Sequence, residues 1–110
     1  DVARAVEERS GSYGNVTRWA GHFIGRKLHL APEVANEAAR CDHRSLEAGV
    51  CLAVEPIFTA QSPVRTVEEG EGGTVRTVDG TRGAHFEHTV WVRDGCAEVL
   101  TARSAEARVV

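Results

Sequence analysis

The sequence predicts a single small α+β domain in which an antiparallel sheet takes up most of the chain. Three observations lead to this prediction. The chain has 110 residues, which is enough for one domain. It opens with apolar residues at helical spacing, and its second half alternates short β-rich segments with glycine clusters. The composition, 42% hydrophobic and 26% charged, is that of a globular chain with a buried core.

The first half of the chain predicts one helix, one strand and a long surface connection. Apolar residues at positions i, i+3 and i+4 near the start indicate a short amphipathic helix that ends near Gly11. Residues 16–19 are predicted to form a strand, and the glycine-bounded segment 21–25 a turn that contains His22. Residues 32–44 are polar and show no alternation, so we interpret them as a surface connection.

The second half predicts a series of strands that pair in an antiparallel sheet. The predicted strands span residues 50–57, 64–67, 74–78, 84–92 and 97–100. The segment EEGEGG at residues 68–73 is interpreted as a charged hairpin connection, and residues 104–110 as a fraying tail. These assignments place most of the chain in short strands joined by turns.

The charge balance and the short apolar runs argue against two classes of partner. Sixteen acidic residues against 13 basic ones give a formal net charge of −3, without the basic excess of a nucleic-acid-binding domain. The apolar runs are far shorter than the roughly 20 residues of a membrane-spanning helix. Cys41, Cys51 and Cys96 form no CxxC pair, so we expect reduced thiols in a cytoplasmic protein.

Glu55 interrupts the otherwise apolar strand segment CLAVEPIF. An unpaired carboxylate costs free energy to bury, so a buried Glu55 requires a compensating partner. Alternation along the strand places Glu55 on the face of Cys51 and Ala53, away from the most apolar side. Two interpretations stay open: a glutamate on an edge strand that faces water, and a functional carboxylate.

The segment AHFEHTVWV at residues 84–92 places charged side chains inside a second β-rich run. In a regular strand His85 and Glu87 share one face and His88 lies on the other, so Glu87 and His88 do not bind the same ion. His88 is instead expected to hold neighbouring structure by a hydrogen bond. A structural or exposed histidine is the alternative interpretation.

A third segment, GHFIGRKLH at residues 21–29, contains His22 and His29 without the HExxH spacing of helical zinc sites. Each of these three segments is a weak signal when it is taken alone. Together they supply imidazole and carboxylate ligands without a thiolate, the set that suits a hydrolytic site for divalent metal ions. The sequence therefore supports the hypothesis of a metal-dependent hydrolase.

These segments resemble, in order along the chain, the methionine aminopeptidases, which are metallopeptidases of the pita-bread fold. The matching segments are GHFIGRKLH followed by Pro32, the LxxGxxxxxEP pattern at 46–56, TxD at 77–79, EHT at 87–89, and Gly95 with the pair at 100–101. The resemblance implies the C-terminal part of that α+β fold, a curved antiparallel sheet with helices on one face. Residues 1–103 would form this part of the catalytic domain, and residues 104–110 a tail.

The resemblance also implies roles for individual residues. His22 and Glu55 would bind one of two divalent ions, and Glu87 would bridge both ions. From its position on the strand, we expect the hydrogen bond of His88 to support these ligands. Glu55 would also move a proton to the departing amine. His29 would hydrogen-bond the scissile peptide of the bound substrate. Imidazole and carboxylate ligands admit cobalt, manganese, iron or zinc.

The implied activity is removal of N-terminal methionine from peptides and nascent proteins. The family draws two aspartate ligands and a further histidine from an N-terminal half that no segment here matches, and Asp42 and Asp79 are in the wrong places to replace them. We therefore expect the chain to need that half as a partner and to be inactive alone. The alternative is a non-catalytic relative or fragment that binds peptides or the ribosome.

Three positions depart from the family pattern. Gly73 stands where the family often has a tryptophan, Leu28 where an aromatic residue is usual, and Phe23 where a glycine is usual. The first two changes remove aromatic walls from the implied methionine pocket, whereas the metal ligands are unaffected. The sequence therefore predicts looser selectivity for methionine.

Overall fold

A computed structural model describes residues 1–71 and 73–106, and these residues form three antiparallel sheets and one α-helix. The predicted α+β fold with an antiparallel sheet is therefore confirmed. Gly72 in the predicted hairpin connection and residues 107–110 of the predicted tail lie outside the described residues. None of the helices in the described part is long and apolar enough to cross a membrane.

The elements follow one another with short connections. Helix α1 covers Val2–Ser10, as predicted, and a 3-10 helix covers Ala38–Arg40. The strands are β1 Gly14–Asn15, β2 Gly21–Ile24, β3 Leu30–Val34, β4 Cys51–Val54, β5 Ile57–Thr59, β6 Thr66–Glu69, β7 Thr74–Thr77, β8 Gly83–His85, β9 His88–Arg93 and β10 Cys96–Val99.

The largest sheet has five strands in the order β10-β9-β4-β2-β3, and all of its neighbours are antiparallel. Its central strand β4 contains Leu52 and Ala53, which are 1% and 0% exposed. Strands β1, β5 and β8 form a second sheet, and β6 and β7 form the predicted hairpin. The core of the described residues is therefore centred on β4, the strand that leads into Glu55.

Two long strands of the sequence-based prediction are each broken in two. The predicted strand 50–57 stops at Glu55–Pro56 and resumes as β5, and the predicted strand 84–92 is interrupted at Phe86–Glu87. The two breaks lie opposite each other, because the pairs Val54–His88 and Ile57–His85 flank them on either side. Each break therefore carries one of the two glutamates identified from the sequence.

The predicted strand at residues 16–19 is wrong. Val16 is buried and its N–H still donates to the carbonyl of Ile57, but the chain then turns away. The carbonyls of the next residues accept hydrogen bonds from side chains instead of from a strand, that of Thr17 from Arg40 and that of Trp19 from Asn36. Side-chain donors here replace the ladder that a strand would need.

Two further predictions for the first half are corrected. The segment 21–25 does not form a turn, because Gly21–Ile24 is strand β2 between β3 and β4. The predicted surface connection 32–44 begins inside β3 and contains the 3-10 helix. Pro32 fits the position of β3 at the edge of the sheet, where a residue without an N–H is tolerated.

Candidate metal centre

His22 occupies a tightly packed position on β2, opposite Ala53 of β4 and Glu33 of β3. The preceding glycine makes this packing possible. A Cβ atom at Gly21 would lie 2.1 Å from the carbonyl oxygen of Ala53, so no larger residue fits unless the two strands move apart. His22 is 7% exposed, and Nε2 of its ring lies 3.4 Å from Oε1 of Glu55.

The ring of His22 is oriented by a backbone carbonyl. Its Nδ1 lies 2.9 Å from the oxygen of Phe23, and because a carbonyl only accepts, Nδ1 carries the proton. In the neutral ring Nε2 then presents a lone pair, and it faces Oε1 of Glu55 at 3.4 Å. Two acceptors that face each other repel unless a cation lies between them, and a carbonyl-oriented ring is the usual arrangement of a metal-binding histidine.

Glu55 lies between two imidazole rings. Its Oε1 faces His22, whereas its Oε2 lies 3.3 Å from Nε2 of His85. The side chain of Glu55 is 20% exposed, and Pro56 follows it at the break between β4 and β5. Because the break releases Glu55 from the regular pleat, a carboxylate reaches the site without being sealed inside the sheet.

Glu87 comes to the same place from the opposite break. One donor atom from each of Glu55, His85 and Glu87 lies within 4.8 Å of the other two, and His85 and Glu87 are both exposed. The donor set is therefore nitrogen and carboxylate oxygen, which first-row divalent ions accept. The residues present fit such an ion.

His29 also reaches the site. Its ring centroid lies 4.3 Å from that of His22 at an angle of 57°, and both rings line a cleft of about 1330 Å³. The cleft also includes Glu55 and His85, and the exposed hairpin β6–β7 forms its opposite wall. A peptide end has room to reach the donor atoms from this cleft.

His88 faces a different set of partners. Its Nδ1 contacts the hydroxyl of Thr101 at 3.0 Å, and its Nε2 lies 3.3 Å from the carboxylate of Glu106. The same threonine hydroxyl accepts the N–H of Thr89. His88 thus joins the start of β9 to the last described turn of the chain, next to Glu87. Its role as a support for the metal ligands stays a prediction.

His85 is the site residue that the sequence reasoning did not select. The available signal was its shared strand face with Glu87, two residues away, but a histidine in an ordinary strand carries little information by itself. The opposite partner, Glu55, could not be placed beside it without knowing that β5 pairs with β8. The juxtaposition comes from strand pairing between segments distant in sequence.

Asp42 and Asp79 are engaged in local contacts of their own. The Arg44 side chain, hydrogen-bonded to Asp42, lowers the pKa of that carboxyl below its ordinary value. The backbone N–H of Thr81 does the same for the pKa of Asp79, whose Oδ1 it contacts at 3.0 Å. Neither carboxylate belongs to the donor group around Glu55.

A family model and known proteins match most of this chain. The model of metallopeptidase family M24 matches residues 1–94. The methionine aminopeptidase of Aquifex aeolicus is 37% identical over 105 residues, which cover 92% of this chain and 40% of that protein. Methionine aminopeptidase 1 of Mycobacterium tuberculosis is 44% identical over 99 residues, covering 89% of this chain and 37% of that protein.

Solved structures are similar in the same way. The crystal structure of a methionine aminopeptidase from Thermotoga maritima superposes with a TM-score of 0.82 at 35% identity, covering 94% of this chain and 42% of that one. The crystal structure of the methionine aminopeptidase from Rickettsia prowazekii superposes with a TM-score of 0.76 at 31% identity, covering 91% of this chain and 40% of that one. The chain therefore spans about 40% of the length of the proteins it matches.

Proposed function

We propose that this chain, which belongs to metallopeptidase family M24, forms the C-terminal part of a methionine aminopeptidase. The proposed activity is the metal-dependent removal of N-terminal methionine from peptides and nascent proteins, at a site that takes two divalent ions. The observation that supports it most is that Nε2 of His22 faces Oε1 of Glu55 at 3.4 Å, with both residues lining an open cleft.

When bound, the ions would supply a water activated for attack and positive charge for the oxyanion that develops. The residues of this chain would do the rest. Glu55, with its side chain 20% exposed and reachable from the cleft, would take the proton of the attacking water and deliver it to the departing amine. His29, which lines the cleft beside His22, would hydrogen-bond the scissile carbonyl.

The number of ligands supports a second part of the site outside this chain. Glu55 and Glu87 bring two negative charges, whereas two divalent ions bring four positive ones. The resemblance to the methionine aminopeptidases implies that two aspartates of an N-terminal half complete the set. We propose that this half is the partner of the chain and that the chain alone binds an ion without releasing methionine.

The experiment is co-expression of the chain with the N-terminal part of the Mycobacterium tuberculosis methionine aminopeptidase 1, followed by a methionine-release assay with a Met-Ala-Ser peptide and added Co²⁺ or Mn²⁺. We expect release by the assembly and none by either part alone. Glu55→Gln should abolish release, and Glu47→Gln, an exposed glutamate outside the site, should not.

The alternative is a non-catalytic module that binds peptides or the ribosome through the same cleft. Metal content separates the two functions. About two ions per assembly, together with methionine release that Glu55→Gln removes, would support the enzyme. Substoichiometric metal and peptide binding without release would contradict the enzyme and favour the binding module.

A further inference from the structure

We propose that His85 is a metal ligand and that it binds, with Glu55 and Glu87, an ion at the open side of the Glu55 carboxylate. The inference rests on the proposed function, because it concerns the same metal centre, but it adds a ligand that the resemblance to the family does not supply. Three features of the structure support it.

The first feature is the spacing of the donor atoms. Nitrogen and oxygen ligands lie about 2.1 Å from ions such as zinc, so two ligands of a tetrahedral site are separated by about 3.4 Å. The Nε2 of His85 lies 3.3 Å from Oε2 of Glu55, which is this separation. The Glu87 carboxylate offers a third donor within 4.8 Å of both.

The second feature is that Glu55 has one imidazole at each of its oxygens. His22 faces Oε1 at 3.4 Å and His85 faces Oε2 at 3.3 Å, so both separations are those of ligands on a shared ion. The arrangement gives Glu55 a ligand partner on its buried side and another on its open side.

The third feature is access. The side chain of His85 is 46% exposed, compared with 9% for His22, and it lines the cleft. Within the described residues the ring of His85 contacts Oε2 of Glu55 at 3.3 Å, and this carboxylate belongs to the same donor group, so the ring is placed to share an ion with it. Strand β8 holds its backbone in place, because His85 pairs with Ile57 beside the break.

The experiment is Co²⁺ titration of the purified chain, followed by visible and near-ultraviolet absorption. His85→Cys replaces the imidazole with a thiolate, and a thiolate bound to Co²⁺ produces a sulfur-to-metal charge-transfer band that an unbound thiolate does not. We expect this band in His85→Cys. The unmodified chain, which contains Cys41, Cys51 and Cys96, is the control for other thiols and should not show the band.

Affinity provides the second readout. His85→Ala should weaken Co²⁺ binding by more than the ~10–100-fold that loss of an outer hydrogen-bond partner costs. Because His85 is exposed, we do not expect His85→Ala to unfold the chain. Circular dichroism checks that the weaker binding is not caused by loss of the fold. His43→Ala, at an exposed histidine in the segment before β4, is the matched control and should leave the affinity unchanged.

The outcomes separate the two proposals. If the chain binds Co²⁺ and His22→Ala weakens it, while His85→Cys gives no charge-transfer band and His85→Ala keeps the affinity, His85 is not a ligand and the metal centre stands without it. If the unmodified chain binds no Co²⁺, both the metal centre on this chain and the role of His85 are contradicted.

Discussion

The two sides of the Glu55 carboxylate are built differently. The buried flank consists of His22 on β2 and the end of β4, where side chains are packed between strands and the ring is oriented by a backbone carbonyl. The exposed flank consists of His85 and Glu87 at the break between β8 and β9. Both side chains are exposed, and His85 lines the cleft.

This difference indicates that the two flanks would hold an ion of the proposed metal centre in different ways. On the buried flank the position of the donor is set by backbone packing before any ion binds, so a small change in the strands displaces His22. On the exposed flank the side chains are accessible, so in the proposed metal centre they would leave room for ligands from outside the chain. Rigid positioning and open access therefore occur on opposite sides of one carboxylate.

The largest effect is expected from Gly21→Ala on the buried flank. The added Cβ would lie 2.1 Å from the carbonyl oxygen of Ala53, and because backbone does not yield easily, β2 must shift away from β4. We expect a loss of stability of ~3 kcal/mol or more, at the upper end of overpacking costs, and loss of Co²⁺ binding. Urea unfolding and metal titration measure both.

Gly25→Ala is the control for this change. Its Cβ would meet only the side-chain tip of Leu30 at 3.3 Å, which can rotate aside. Equal destabilisation by the two substitutions would mean that the close approach of β2 and β4 does not position His22.

A smaller effect is expected from His29→Ala in the co-expressed assembly. The ring lies on that of His22 but is exposed to the cleft, so its proposed role is to donate to the substrate. Loss of one such donor typically lowers turnover by roughly 10²–10³-fold, and we expect that range with unchanged metal content. If His29→Ala loses metal instead, His29 is a ligand and belongs with the buried flank.

Substrate selectivity should change by less. The resemblance implies aromatic walls for the methionine pocket at positions 28 and 73, where this chain has Leu28, which is 62% exposed, and Gly73, which has no side chain. We expect methionine to be preferred over leucine or norleucine only weakly in a panel of X-Ala-Ser peptides. Leu28→Phe should sharpen the preference by about 1–3 kcal/mol in kcat/KM. Strict methionine selectivity in the unmodified assembly would show that other residues form the pocket.

The smallest effect concerns the turn that contacts His88 behind Glu87. Hydrogen bonds from the backbone and side chain of Arg103 lower the pKa of Glu106 below its ordinary value. A lowered pKa means that the contribution of Glu106 to stability is present at neutral pH and is lost as the pH falls through that pKa.

Thermal unfolding of Glu106→Gln and of the unmodified chain tests this pH dependence. The Tm of the variant should be slightly lower at pH 7, and the difference should shrink as the pH falls through the lowered pKa of Glu106, because the carboxylate then becomes protonated in the folded state as well. A difference that persists in acid would show that the carboxylate charge does not stabilise this turn.

The sequence predicted local structure well where the signal was local. The apolar spacing of α1, the hairpin β6–β7 and the strand character around β4 and β9 are all present in the fold. Glu55 and Glu87 were selected as candidates because charged side chains are conspicuous among apolar neighbours, and His22 because it lies in a glycine-bounded segment. In each case the information lies within about ten residues.

The features that were missed depend on contacts between distant segments. The segment at Gly21 resembles a turn by composition, and its strand conformation is explained by the close approach of Ala53. The breaks in the two long strands are invisible to alternation, because they arise where two sheets meet. His85 gains its position only from the pairing of β5 with β8.

The most direct test of the metal centre is the anomalous scattering of crystals of the chain soaked in Mn²⁺. We predict a peak within coordination distance of Glu55, bounded by His22 on the buried flank or by His85 and Glu87 on the exposed flank, and its loss in Glu55→Gln crystals. A peak only at remote carboxylates such as Asp42, or one that persists at full height in Glu55→Gln, would contradict the assignment of this carboxylate as the centre of the site.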